Sequence, residues 1–496
     1  MSRAAVILTC VGIYLLICVV VGIWAMRRTR NTRDFFVAGR QIGFAVAGLA
    51  MFSSTLSGFG FVGGPGLIYA MGLSSIWIII TTPTGMAVST WLLAKRLRLM
   101  AEVRDIVSLP DAVAARYGSE STRFLAAIAI LLGCIGYLAT QILAMSVVLQ
   151  SLASAVPATQ GLSLVACVVI STGFLLFYSV TGGVIASLYT DVIQGAIMIV
   201  ASVLVFIAAV NAVQGGAVGA ITSLVADDPE SMGPWGTMGM IGCLSWYLLF
   251  TIGGAGQPHI ITKNLMYRKV SDAANALPVS LAAYSCSALL WIGIGLAMRA
   301  VVIQGGLPPL ASADQAATTF LQTFASPLLA GVVFAALFAA IMSTGDAFLN
   351  IGAAALAHDI PLALRGRPLN NELLSARLAT VGLGVGGAGF AIYSHYVNDR
   401  LIAFLGAFGW GTFAAALVPV VAIGLNWKRA TPLAANVSII AGLTINLAAE
   451  LSGARLPHGL HGGTVALVIS MVLFIVISRL TPMQRPAPDI EAVMEM

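Results

Sequence analysis

Apolar runs of about 20 residues recur along the whole chain, each long enough to cross a ~30 Å hydrocarbon core as a helix. In order they predict thirteen spans, at roughly 4–26, 44–72, 74–94, 122–155, 161–181, 187–214, 237–262, 273–303, 327–357, 374–396, 399–425, 432–451 and 463–480. The polar interruptions are short. The two longest loops, 213–236 and 304–326, carry the turn-forming stretches "ADDPESMGP" and "GGLPPL" and have room for short surface helices. Polar positions inside the spans are few; apart from Asp399 and Glu450 at span ends, the carboxylates are Asp191 near the inner end of span six and Asp346 within span nine.

Composition agrees with this pattern. The chain has 496 residues, is 59% hydrophobic and 9% charged, and has a mean hydropathy of +0.97. It reads as an all-α polytopic membrane protein in a lipid bilayer, with no soluble appendage. The net charge of +6 and pI near 9.1 report topology, not a nucleic-acid partner. With the N-terminus outside, the inner segments 27–40, 95–123, 263–269, 358–377, 426–431 and 479–496 hold twenty-one of the twenty-five Lys and Arg, leaving Arg3, Arg299, Arg400 and Arg455. By the positive-inside rule the C-terminus is then inside, in a cytoplasmic (inner) membrane. The first span reads as a retained helix, not a signal peptide. All six cysteines, Cys10, Cys18, Cys134, Cys167, Cys243 and Cys286, fall within spans and read as packing residues.

Spans two to six and seven to eleven form two sets of five. Each set opens with a span interrupted by glycine and proline, "SGFGFVGGPG" at 57–66 and "GGAGQPH" at 253–259. Free backbone groups at membrane depth are tolerated where they line a cavity, and paired interrupted spans point to a transporter binding site. An odd number of spans per set places the sets in opposite orientation. The predicted organisation is a first helix and basic inner loop (1–43), a first repeat (44–214), an inverted second repeat (237–425), and two C-terminal helices with a short inner tail (432–496).

In span nine, Ser343 and Asp346 share a helical face and Thr344 lies about 100° round from Ser343. Hydroxyl and carbonyl oxygens suit a small hard cation such as sodium, with an unwound helix supplying the carbonyls. The other reading of the hydroxyls is a bond to their own or a neighbouring helix. Two carboxylates in one bundle invite a shared proton, a second cation or a basic partner. Leaving aside arginines at span edges, such as Arg123, Arg377 and Arg400, the intramembrane base available to pair with these carboxylates is Arg299, near the outer end of span eight.

These motifs resemble the sodium:solute symporter family. The resemblance is carried by "DFFVAGR" (34–40), "SGFGFVGGPGLIYAMG" (57–72), "TGGVIASLYTDVIQG" (181–195), "GQPHI" (256–260), "AAIMSTGDA" (339–347) and "NWKRATPLAA" (426–435), in order along nearly the whole chain. It implies a LeuT-type five-plus-five inverted repeat and a sodium site formed by the carbonyls of Ser53, Leu56 and Ala340 with the hydroxyls of Ser343 and Thr344. Some members place a second sodium at the aspartate matching Asp191 and at serines after the hydroxyl pair. Here those later positions are Asp346 and Ala347, which leaves a second cation, a proton or a structural bond open for Asp191 and Asp346. The solute is expected among Thr55, Ser57, Gly58, Gly60, Tyr137, Gln141, Phe250, Gly254, Gln257 and Phe408. The proline branch has an acidic residue at the Thr55 position and bulky aromatics at the Phe250 and Gly254 positions, so Gly254 argues for a different solute. Span eleven lacks Gln, Asn or Lys, which disfavours a hexose.

The resulting expectation is a sodium-coupled symporter that imports a small carboxylate or amino acid by alternating access. The rival readings are a proton-coupled carrier of the same fold and a transporter-like sensor needing a separate output partner. An enzyme is disfavoured, because neither a metal-ligand cluster nor a nucleophile–base pair stands out and the five histidines are scattered. Oligomeric state leaves no trace in the sequence.

Overall fold

A computed structural model describes residues 2–26, 42–157, 159–398, 401–453 and 456–496. The motif at 34–40, most of the basic loop containing it, Arg400 and Arg455 lie outside the described residues, as do the side chains of 181–186. Among the described residues the chain is helical, apart from loops and one parallel bridge between Ile42 and Tyr267 that ties together the inner ends of spans two and seven.

Span one is α1 (Arg3–Met26). Span two divides into α2 (Phe44–Thr55) and, after a π turn at Phe59–Gly63, α3 (Gly64–Met71). Span three is α4 (Ile76–Ser89), which continues through a π turn into α5 (Lys95–Val103) at the inner face. There follow α6 (Leu109–Tyr117), α7 (Glu120–Ser154), α8 (Leu164–Ala212) and the loop helix α9 (Gly216–Asp227). The second set holds α10 (Gly239–Gly253), α11 (Pro258–Ile261), α12 (Val270–Ile303), the loop helix α13 (Ala316–Thr323), α14 (Pro327–Ala354), α15 (Ile360–Arg365), α16 (Glu372–Tyr393) and α17 (Ile402–Leu417). The chain closes with α18 (Pro432–Leu451), α19 (Gly462–Leu480) and α20 (Pro488–Glu495).

Helix starts are written locally. Ser108, Ser119, Ser163, Ser326, Asn371 and Thr431 each accept a bond from a first-turn N–H of the helix that follows, satisfying a donor that has no partner within the helix.

Among the described residues, eleven helical stretches are long and apolar enough to cross a membrane. They match the thirteen expected spans once two shorter pieces are added, Phe44–Thr55 and Leu164–Val180, and Phe59–Val103 is divided between spans two and three. Spans five and six lie in one helical run, α8. In a straight helix Tyr178 and Thr190 would be about 18 Å apart, yet their hydroxyls are hydrogen-bonded. The two stretches therefore lean back on each other, as separate spans must.

The two interrupted spans break in the same way. Helix α2 stops at Thr55 and the next residue, Leu56, is extended (φ −87°, ψ 93°). Span seven passes through a short 3-10 turn at Gly254–Gly256 to an extended Gln257 (φ −79°, ψ 110°). Neither proline lies in the break. Pro258 sits at the start of the helix beyond it, where a missing N–H costs nothing, and Pro65 lies further along, just after the π turn Phe59–Gly63. Around both breaks pack α7, α14 and α17, the most enclosed of the long helices, while α1 and α16 lie at the periphery.

Candidate functional site

The break after Thr55 leaves the last carbonyls of α2 without helical donors, at the negative end of the helix dipole. Helix α14 meets that end with its two hydroxyls. Ser53 Oγ donates to Ser343 Oγ at 2.9 Å, and Thr344 Oγ1 donates to the carbonyl of Ser54 at 3.1 Å. Leu56 marks the break itself, and Ala340 lies on α14 one turn before Thr344; all five residues named for the cation are buried. The donor set is oxygen throughout, as a hard monovalent cation requires. The structure adds the Ser54 carbonyl, which the motif alone did not supply.

Next to this cluster is a charge pair. Lys263 Nζ is 3.1 Å from Asp191 Oδ2, with side-chain exposures of 7% and 1%. This corrects two sequence readings: Lys263 is not an inner-loop residue, and Arg299 is not the one intramembrane base. The chain past α11 stays buried through Asn264 and Leu265, so Lys263 ends a half-helix inside the protein. Arg299 instead pairs with Asp228 at 3.1 Å. Ser343 stands beside Asp191, and Asp346 lies within electrostatic reach of both Asp191 and Lys263. Neither oxygen of Asp346 makes a hydrogen bond among the described residues, nor does Asp191 Oδ1; Ser179 and Ser187 stand next to Asp346 outside bonding geometry.

The residues named for the solute gather around the two breaks, in differing roles. Gly58 N–H donates to Gln141 Oε1 at 2.9 Å, so this half-helix N–H is already capped by a side chain. Ser57 Oγ accepts from Phe59 N–H, and Thr55 Oγ1 donates to the Met51 carbonyl. Phe250 lies between Phe59 and Trp410, with ring centroids 6.0 and 5.0 Å away. Tyr137 packs on Phe348 at 4.5 Å, and Phe408 lies 6.3 Å from Phe390. Gln257 Nε2 donates to the carbonyls of Gly253 and Trp410. Gly60 faces the side chain of Leu56. Gly254 faces the backbone of Gly85, whose carbonyl carbon would lie 2.7 Å from an added Cβ. Its small size thus serves a contact between spans three and seven.

Among the described residues, several buried polar atoms here lack partners: Gln141 Nε2, Gln257 Oε1, both ring nitrogens of His259 and both amide atoms of Asn350. His259, Thr262, Lys263 and Asn350 line a small cavity of about 40 Å³ whose wall also includes Ser108 and Asp359. Sequence reasoning missed His259, Lys263 and Asn350. A signal was present for the first two: the apolar run continues through "PHIITKNLMY", with Lys263 enclosed inside it.

On the side of the bundle that carries α5 and α6, residues distant in sequence form an ion network. His358 lies between Glu372 (2.5 Å) and Asp111 (3.2 Å), Arg123 binds Asp111 and Glu120, and Ser108 donates to Asp359. Asp111, His358 and Asp359 bring three metal-ligating atoms within 4.8 Å of one another, a grouping the sequence did not show. With Arg123 on one carboxylate and both histidine nitrogens engaged by carboxylates, the arrangement is a salt-bridge network joining α6, α7, α16 and the π turn Ala355–Asp359 that follows α14. Burial pushes the Asp111 carboxyl upward, but its bonds to His358 and the charge of Arg123 outweigh this and hold it below the usual aspartate range.

The comparisons with known proteins accord with this architecture. Residues 35–442 match the model of the sodium:solute symporter family. The chain is 26% identical over 486 residues to an osmoregulated proline transporter of Bacillus subtilis, covering 97% of this chain and 96% of the relative. It is 27% identical over 507 residues to a sodium/proline symporter of Staphylococcus aureus, covering 97% and 93%. Among solved structures, a sodium-coupled sialic acid symporter in a substrate-bound outward-open state superposes with a TM-score of 0.78 at 21% identity, over 97% of this chain and 99% of that one. The nucleobase-cation-symport-1 transporter Mhp1 superposes with a TM-score of 0.58 at 12% identity, over 94% and 99%. These two share the LeuT-type fold with this chain.

Proposed function

The chain belongs to the sodium:solute symporter family, and from that premise we propose that it carries a small carboxylate or amino acid inward with sodium, by alternating access in a cytoplasmic membrane. Sodium-coupled symport of a small organic solute is the family's activity. The finer reading is supported by one observation: the Ser53–Ser343 and Thr344–Ser54 hydrogen bonds bring hydroxyl and carbonyl oxygens of two helices together at the point where α2 unwinds. A cation held there fixes the backbone next to Ser57 and Gly58, which border the solute region. Sodium and solute then raise each other's affinity by the same factor. The solute class follows from the polar atoms left open around the breaks and from the relatives, since proline and sialic acid both carry a carboxylate.

Repeat boundaries at 44–214 and 237–425 fit this reading, with the break of each repeat near its start. Purified protein followed by thermal melting in rising sodium chloride, with choline chloride holding ionic strength, tests the site. A cation that binds the folded state raises apparent stability as its concentration passes Kd. We expect a saturable sodium effect that Ser343→Ala and Thr344→Ala each weaken tenfold or more, about 1.4 kcal/mol. Sodium stabilisation unchanged in both variants would overturn the assignment. A pH-dependent effect that requires Asp346, in place of the sodium effect, would transfer the coupling to protons.

A further inference from the structure

Two buried carboxylates and one buried ammonium meet beside the proposed sodium site. Asp191 comes from α8, Asp346 from α14, and Lys263 from the inner half of the interrupted span seven. Lys263 Nζ engages Asp191 Oδ2 at 3.1 Å. Among the described residues, Asp191 Oδ1 and both oxygens of Asp346 have no donor within bonding geometry, at residue exposures of 0% and 1%, with Ser179 and Ser187 next to Asp346. A purely structural pair is expected to have its remaining lone pairs satisfied. Here three carboxylate oxygens stay open around a single cation, with the Ser343 hydroxyl alongside. Removing the ammonium would leave an all-oxygen cluster of the kind that binds hard cations.

We propose that the Lys263 ammonium is a tethered cation standing where a second inorganic cation would otherwise bind, so that this protein carries one sodium ion per cycle. The proposal rests on the sodium site at Ser343 and Thr344 and adds its stoichiometry. It also gives Lys263 a mechanical part. Because the ammonium rides on a half-helix that ends at the break, its bond to Asp191 links the inner half of span seven to α8 in the state observed.

The test is binding of radiolabelled sodium to the purified full-length protein, read as ions bound per molecule. The wild type should bind about one. Lys263→Met, and the milder Lys263→Gln, should bind about two, and Asp191→Asn in either background should remove the gained ion. Lys263→Arg retains the charge and should stay at about one. Adding Thr344→Ala to Lys263→Met should remove the first ion and leave the second. Two ions in the wild type would overturn the proposal, a measurement that needs no variant to fold. So would the absence of a gained ion in both neutral variants. A wild type that binds none, with a Lys263→Met protein that binds one through Asp191, would uphold the tethered cation while overturning the Ser343–Thr344 site.

Discussion

A hydroxyl that donates its proton to a carbonyl keeps its lone pairs free for a cation, which is why Thr344 can bond Ser54 and still serve as a ligand. Ser343 differs, because its oxygen already accepts from Ser53 and must exchange that bond when an ion arrives. Thr344→Ser should therefore preserve sodium-dependent uptake, while Thr344→Val, similar in shape but lacking the oxygen, should raise the sodium concentration for half-maximal uptake at least tenfold. Uptake kinetics in vesicles at varied sodium check this; a Val variant with wild-type sodium dependence would contradict it. At this scale the sequence was partly legible. Ser343, Thr344, Asp191 and Asp346 stood out as polar residues in apolar runs, and the structure brings all four to one region. Lys263 was hidden because positive charge at the end of a hydrophobic run normally marks a loop. The fact that decides its role, burial beyond the half-helix, is a property of packing.

Interrupted helices need close neighbours, since a chain leaving helical geometry must be supported from outside. The 3-10 turn at Gly254 is supported by Gly85 of α4, where an added Cβ would lie 2.3 Å from the Phe250 carbonyl oxygen. Gly85→Ala should thus lower stability by about 1–3 kcal/mol, typical for overpacking, and reduce transport. Gly382→Ala, with no neighbour within 4 Å, should melt like the wild type. Equal melting temperatures for the two variants would show that spans three and seven do not depend on this approach. Helix existence and order were readable because a 20-residue apolar run has few other fates in a bilayer. The position of each break was less so: glycine and proline mark the neighbourhood of 57–66, but the extended residue is Leu56, one step before the motif. The leaning of span five on span six, through Tyr178 and Thr190, is a contact that periodicity does not encode.

On the scale of the whole molecule, the end of the bundle that carries α5 is bound together by α20. Its apolar residues Ile490 and Val493 are buried, and its acids reach both halves of the chain: Asp489 pairs with Arg104 at 2.7 Å, and Glu491 with Lys428 at 3.2 Å. Hydrogen bonding to Arg104 holds the Asp489 carboxyl below its ordinary value of 3.8. A depressed value in the folded state means that the stabilisation is fully present above pH 3.8 and is lost as pH falls beneath it. Melting temperature followed from neutral to acid pH should show this component in the wild type and lack it in Asp489→Asn. Because the pair is solvent-exposed, high salt should diminish it; an identical acid profile in the two proteins would remove the pair from the account. This docking also bears on how the protein is made. Ribosomes deliver Arg104 early, Lys428 late and α20 after the spans that carry both, so these bonds form when both halves are already in the membrane. The docking of α20 thereby reports that the two halves have come together, and a substitution that loosens it would weigh on that late step.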